Sequence, residues 1–127
     1  MDGPAIKSYR DLRIWQDAMA LAEAAYRLTR GFPKDETFGM SSQIRRSAAS
    51  IPANIAEGHG RETTGAFVQS LRIAQGSLKE FETHLLLAGR VGLLNEPSIE
   101  TVMSQCEALG KMLRSLIRSL QQKAGSR

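Results

Sequence analysis

The chain has 127 residues, a formal net charge of +4, 42% apolar residues and 24% charged residues. This length suits a single domain with its own core, and the composition excludes a disordered or membrane-embedded chain. The single cysteine, Cys106, excludes an internal disulfide and a cysteine-based zinc cluster.

The distribution of apolar residues along the chain also predicts where in the cell the protein is located. The longest apolar run, Leu85 to Ala88, is far shorter than the roughly 20 residues that a membrane span requires. The start, Met1-Asp2-Gly3-Pro4, has neither the basic nor the apolar part of a signal peptide. We therefore expect a cytoplasmic protein with no membrane partner.

Residues 1–10 are predicted to form a flexible N-terminal lead, followed by a first helix. Gly31 is expected at the C′ position of this helix, and Phe32-Pro33 should end it. The apolar row of the helix, at spacings of three and four, comprises Leu12, Trp15, Met19, Ala22, Tyr26 and Thr29.

The second helix is predicted to start at an Asp35 cap and to carry two faces. Pro52 lies in its middle and predicts a bend, because proline removes one helical hydrogen bond. The apolar row is Ile44, Ala48, Ile51 and Ile55. The opposite row, called here the polar seam, is Gln43, Arg46, Ser50, Asn54, Glu57 and Arg61.

Two further helices complete the chain. Thr63 or Thr64 should cap the third, Gly92 should follow its end, and Asn95 should cap the fourth. The third helix carries Phe67, Leu71, Ala74, Leu78, Phe81, Leu85 and Ala88, and the fourth carries Ile99, Val102, Cys106, Leu109, Leu113, Leu116 and Leu120.

These four apolar rows predict an all-α protein, an antiparallel up-down four-helix bundle with a left-handed supercoil. No alternation typical of β-strands is present. Residues 11–124 should form this single domain, and residues 125–127 should form a C-terminal tail.

The chain resembles the four-helix bundle proteins encoded within intervening sequences of bacterial 23S ribosomal RNA genes. It is more distantly similar to the accessory bundle protein of diversity-generating retroelements. The resemblance runs from about Leu12 to Leu120. It is carried by Ile14-Trp15, Phe32-Pro33, Gln43-x-Arg45-Arg46-x-x-x-Ser50-Ile51-Pro52-x-Asn54-Ile55-x-Glu57-Gly58 and Ile73-Ala74-x-Gly76-Ser77-x-x-Glu80. The resemblance implies a homopentamer with a basic centre and nucleic-acid binding without catalysis.

The polar seam predicts an interhelical polar network, because buried polar groups must be paired. Gly76 is expected to let the second and third helices approach, and Arg46 or Arg61 to balance the carboxylates. The alternative is that the seam lines an oligomer cavity or a ligand site. The predicted network members are Gln43, Ser50, Asn54, Glu57, Ser77 and Glu80.

Basic side chains are the candidates for nucleic-acid binding. From Lys111 to the end the chain has five cations and no acid. Lysine and arginine contact phosphate without reading sequence, although such clusters are also typical of solvated surfaces. The apolar rows include Trp15, Tyr26, Phe67 and Phe81, so backbone recognition is expected rather than base stacking. The candidates are Arg45, Arg46, Arg61, Lys111, Arg114 and Arg118.

Catalytic, metal and cofactor sites are not predicted. The sequence has no set of nucleophile, base and acid and no phosphate-binding glycine loop. Glu80 and His84 are four residues apart, but no second histidine motif completes a di-metal site.

The sequence therefore predicts a non-enzymatic, homo-oligomeric bundle that binds RNA or DNA through phosphate contacts. The alternative is an assembly or scaffold protein with a protein partner such as a reverse transcriptase. A small enzyme or metal-binding bundle is the third hypothesis.

Overall fold

The computed structural model describes residues 7–125, and within that range it contains helices and no strand. The all-α prediction is therefore confirmed. Residues 1–6 of the predicted lead (1–10) and residues 126–127 of the predicted tail (125–127) lie outside the described range. The four α-helices are α1 (Arg13–Thr29), α2 (Met40–His59), α3 (Thr64–Arg90) and α4 (Glu96–Gly125). Two short 3-10 helices are present at Tyr9–Asp11 and Lys34–Glu36.

The helices form a four-membered bundle in which each packs against its two neighbours. Contacts join α1 to α2, α2 to α3, α3 to α4, and α4 back to α1. Ser50 meets Ser77, whereas Gly58, later in α2, lies against Ser70, earlier in α3. These two helices therefore run in opposite directions. The left-handed supercoil and the bend at Pro52 stay predictions.

The core contains the predicted apolar rows of α2, α3 and α4 almost entirely. All four predicted α2 residues are fully buried, as are Leu71, Phe81 and Leu85 of α3. Near the end of α4, Ile117 is buried where Leu116 was expected, and Leu116 is half-buried. Burial of these rows supplies the main driving force for folding.

The predicted row of α1 is right only in part. Ala22 and Thr29 are buried as expected, and Leu12 and Trp15 are half-buried. The core side consists of Ile14, Ala18, Leu21 and Ala25. α1 has two adjacent rows with helical spacing, and only one of them can face the core. The small alanines of the buried row allow α1 to pack closely. Met19 and Tyr26 of the predicted row, by contrast, are exposed.

The ends of α3 and α4 follow the predicted capping chemistry. Thr63 Oγ1 accepts a hydrogen bond from the amide of Ala66 at 3.1 Å. Asn95 Oδ1 accepts one from the amide of Ser98 at 2.9 Å. Gly92 has φ +84°, and the amides of Gly92 and Leu93 donate to Gly89 and Ala88. This pattern is a Schellman motif, which satisfies the last carbonyl groups of a helix.

Two predicted boundaries are wrong. α2 begins at Met40 rather than at an Asp35 cap, because residues 34–36 form a 3-10 helix instead. The Glu36 carboxylate then accepts a hydrogen bond from the amide of Met40 at 3.1 Å. The second wrong boundary is the end of the N-terminal lead, which was predicted at residue 10. Tyr9 already belongs to a 3-10 helix, and its ring lies edge-on to the Trp15 ring, with the ring centres 5.3 Å apart.

Candidate nucleic-acid interface

α4 presents a basic face built from Lys111, Arg114 and Arg118. All three side chains are exposed, and none forms an ion pair with another residue in the range 7–125. They are spaced by three and four residues, which places them along one side of the helix. The predicted basic row therefore exists as a continuous exposed surface.

A groove between α3 and α4 adds two cations that the sequence analysis did not select. Arg72, Lys79 and Arg114 line the same groove of about 430 Å³, which we call the basic groove. A Cβ atom at Gly110 would lie 3.5 Å from Arg114 Nη1, so the guanidinium group extends back over this glycine. Arg72 and Lys79 are seven residues apart on α3, which indicates a shared face. The sequence does not tell which helix packs beside that face, and the structure shows that it is α4.

The polarity of the α3–α4 surface changes along its length. An adjoining groove shares Lys79 and Arg114 but is lined by the carboxylates of Glu82, Glu100 and Glu107. Lys79 Nζ lies 3.2 Å from Glu82 Oε1. A phosphate group is attracted to the cationic end and repelled by the acidic end. This surface can therefore hold an anion at one end only.

Arg45 is engaged within the chain. Its Nε donates a hydrogen bond to Thr29 Oγ1 at 2.7 Å, and its guanidinium carbon lies 4.7 Å from the ring centre of Tyr26. Such a cation–π contact together with a hydrogen bond fixes the side chain. Arg45 thus joins α1 to α2, and we do not include it in the interface that we propose below.

Arg46 and Arg61 lie apart from the basic groove. Arg46 is exposed on the outer side of α2. Arg61 forms an ion pair with Glu57, and both side chains are about half exposed. Exposed pairs of this kind contribute little to stability. The structure therefore brings only Lys111, Arg114 and Arg118 of the six predicted cations onto one face.

The centre of the polar seam joins α2 to α3. The Ser50 and Ser77 hydroxyl oxygens are 2.8 Å apart and hydrogen-bonded. Asn54 Nδ2 donates to the Ser50 carbonyl oxygen at 2.8 Å and to its hydroxyl at 3.1 Å. Ser77 is buried and Ser50 is half-buried. This small network fixes the register of the two helices.

The predicted network is too long at both ends. Gln43 and Glu57 are exposed, because the seam drifts around α2 and leaves the contact with α3. Glu80, on α3, is exposed as well. Glu80 instead lies 3.5 Å from Nε2 of His84 on its own helix. That nitrogen is buried and has no hydrogen-bond partner among the described residues.

The close approach of α2 and α3 occurs at Gly58, not at Gly76 as predicted. A Cβ atom at Gly58 would lie 2.7 Å from Ser70 Cβ and 2.8 Å from Phe67 Cδ1. A Cβ atom at Gly76 would meet nothing within 4 Å. Gly76 therefore opens the surface of the basic groove instead of the helix contact.

A second groove, between α1 and α2, is apolar and larger. It encloses about 770 Å³, and we call it the α1–α2 groove. Tyr26 was expected in the core but is 46% exposed. The groove is lined by Tyr9, Trp15, Met19, Ala22, Glu23, Tyr26, Arg27, Arg30, Ala49, Pro52, Ala53 and Ala56.

Metal-binding and thiol chemistry have little basis in the described chain. Within residues 7–125, no three histidine, cysteine, aspartate or glutamate side chains cluster as metal ligands would. Burial raises the pKa of the Cys106 thiol to about 12, and the Glu82 carboxylate adds to the effect. The thiol therefore stays protonated and unreactive near neutral pH. In the same range, no helix combines the length and hydrophobicity needed to cross a bilayer.

Comparison with known proteins decides the family. The sequence model described as "23S rRNA-intervening sequence protein" matches residues 10–115. The chain belongs to this family. A crystal structure of a protein of unknown function from the S23 ribosomal protein family of Bacteroides thetaiotaomicron has the same fold, with a TM-score of 0.74 and 27% identity. That similarity covers 82% of this chain and 97% of the other. No curated protein matches.

Membership in the family accords with the residues that carry the resemblance. The matched range includes all of α1, α2 and α3 and the first two-thirds of α4. It therefore contains the polar network, the basic groove and all of the α1–α2 groove except Tyr9, but ends before Arg118.

Proposed function

We propose that this member of the 23S rRNA-intervening sequence protein family is a non-enzymatic, cytoplasmic, homo-oligomeric bundle that binds nucleic acid. The basic groove and the neighbouring α4 cations contact the phosphate backbone. The homopentamer implied by the family resemblance is part of this proposal. Five copies, each with a charge of +4, would carry +20 in one particle.

The observation that carries the proposal is the convergence of Arg72, Lys79 and Arg114 on one groove. Lys111 and Arg118 extend this charge along α4. The residues that line the groove include no aromatic side chain, which favours contact with phosphate over stacking on bases. Affinity should then depend strongly on charge and weakly on sequence.

The test is charge reversal on this surface. The variant with Lys111→Glu, Arg114→Glu and Arg118→Glu should lose at least tenfold in affinity for RNA or DNA in a low-salt gel-shift series. The exposed positions make unfolding an improbable cause of such a loss, and circular dichroism checks the helix content. A matched control reverses three exposed cations elsewhere, Arg13, Arg46 and Arg90.

Two outcomes would refute the proposal. One is a wild-type protein that binds no RNA or DNA at low salt. The other is a control variant that loses as much affinity as the α4 variant, because binding would then follow net charge and not this surface. Purified protein that contains stoichiometric metal would revive the third hypothesis of a metal-binding bundle.

The scaffold hypothesis keeps support from one observation, the α1–α2 groove. Its aromatic and methionine side chains are types enriched at protein–protein interfaces. Charge reversal on α4 separates the two functions. A protein partner such as a reverse transcriptase would still be captured by the α4 variant, whereas nucleic acid would not.

A further inference from the structure

The loop between α1 and α2 carries an apolar side chain that packs against no other side chain within residues 7–125. Phe38 is 96% exposed, and it lies between the 3-10 helix Lys34–Glu36 and the start of α2. The other large exposed apolar residues of the described chain are each 60% exposed or less. A phenylalanine held this far into solvent gains hydrophobic stabilisation only from another molecule.

The α1–α2 groove is an apolar surface that no side chain of residues 7–125 fills. Its walls carry Trp15, Met19 and Tyr26, and its floor is formed by Pro52 and the alanines of α2. At about 770 Å³ it has room for an aromatic ring together with the backbone that carries it. Phe38 of the same chain does not fill it, because that side chain is almost fully exposed.

The charges of the loop and the groove are complementary. Arg27 and Arg30 line the groove, with Glu23 as its only acid, and neither arginine forms an ion pair within the described residues. The loop carries Asp35 and Glu36, against the single cation Lys34. A positive end of an apolar groove thus matches a negative loop with an apolar tip.

We propose that the α1–α2 loop of one copy docks into the α1–α2 groove of a second copy, with Phe38 inserted among the aromatic side chains. This inference rests on the homo-oligomeric part of the proposed function and assigns a surface to it. Because the loop and the groove are different surfaces, the contact is heterologous, the type that generates closed rings when its rotation closes.

The first test is the particle mass in solution, measured by light scattering after size exclusion. Phe38→Ser should shift the mass from the oligomer towards the monomer, because the docked ring is lost. The matched control, Leu87→Ser, changes another exposed apolar residue that lies outside the groove, and should leave the mass unchanged. An unchanged mass for Phe38→Ser would refute the inference.

The second test detects the contact directly. Phe38→Cys protein mixed with Ala53→Cys protein should form a covalent dimer on mild oxidation by copper–phenanthroline, because Ala53 lines the groove. Phe38→Cys mixed with Ala108→Cys is the control, since Ala108 is exposed on α4 outside the groove. The native Cys106 is buried and should not react.

The outcomes separate this inference from the proposed function. A monomeric wild type would overturn both the oligomer and the docking. An oligomeric wild type with no dimer from the Phe38 and Ala53 pair would overturn the docking alone. Loss of nucleic-acid binding in the α4 variant has no bearing on either cross-link.

Discussion

Gly58 and Gly76 show how the same residue type can serve opposite purposes one helix apart. At Gly58 the absence of a side chain lets α2 touch α3, whereas Gly76 lies at open space beside the basic groove. Sequence analysis selected Gly76 for the close approach because it adjoins Ser77. Only the packed structure distinguishes the two, since both lie in helices and in the motifs that carry the family resemblance.

We predict that Gly58→Ala lowers the free energy of unfolding by about 1–3 kcal/mol, the range typical of overpacking. The new methyl group would overlap Ser70 Cβ and Phe67, so the helices must separate. Urea denaturation at one fixed protein concentration measures the change, because assembly also affects stability.

Gly76→Ala is the matched control. It should raise the free energy of unfolding by about 0.5–1 kcal/mol, because alanine is the better helix former and meets no neighbour. Equal effects of the two substitutions would contradict the assigned packing.

The polar network was predictable at its centre for a physical reason. Ser50 and Ser77 are short, polar and placed on apolar-flanked faces, so the fold must pair them once the helices pack. Longer side chains such as Glu57 can reach solvent from the edge of an interface. Their exposure depends on small rotations of the helix, which the sequence does not specify.

At the scale of the helix, α1 demonstrates the limit of reading periodicity. Two adjacent rows, one led by Ile14 and one by Trp15, satisfy the same spacing. The spacing therefore could not choose between them, and in the structure the row of Ile14, Ala18, Leu21 and Ala25 is the more deeply buried. The remaining row becomes the α1–α2 groove. The second apolar row of α1 therefore contributes to an apolar surface groove more than to the core.

The caps of α3 and α4 were predictable, because capping depends on a few neighbouring residues. We predict that Gly92→Ala destabilises the protein by about 1–2 kcal/mol, since φ is +84° and a Cβ is strained there. Gly31→Ala is a matched control beyond the end of α1. Gly31 lacks a positive φ and has open space, so that variant should be neutral or slightly stabilised.

Thermal unfolding of the two variants, followed by circular dichroism at 222 nm, provides the comparison. A lower Tm for Gly31→Ala than for Gly92→Ala would show that the Schellman geometry at the end of α3 is not a source of stability.

For the whole molecule, the two proposed surfaces differ in their dependence on salt. Binding to phosphate releases counterions, so the affinity for nucleic acid should fall steeply between 50 mM and 200 mM salt. The slope of log association constant against log salt concentration should be roughly −0.7 to −0.9 for each phosphate contacted. Docking of Phe38 is mainly apolar, and salt should change the particle mass little. Titration by fluorescence anisotropy and light scattering across the same salt series measures both. If the oligomer dissociates over the same range of salt in which nucleic-acid binding is lost, the prediction of two separate surfaces is contradicted.

The bundle was predictable as a whole because four rows of apolar residues with short connections leave few other packings. The basic groove was not, because Arg72 and Arg114 are brought together only when α3 and α4 are side by side. Similarly, the exposure of Phe38 depends on where the 3-10 helix ends, a boundary that the sequence did not reveal.

The distribution of charge along α4 has a consequence for encounter with a polyanion. Glu96, Glu100 and Glu107 occupy its first half, and Lys111, Arg114 and Arg118 follow in the second. A thirty-residue rod charged in this way is an electric dipole lying along the bundle. The field of an approaching nucleic acid exerts a torque on it before any contact forms. In the binding that we propose, we therefore expect the cationic end of α4 to turn towards the nucleic acid before contact, which would raise the fraction of productive collisions.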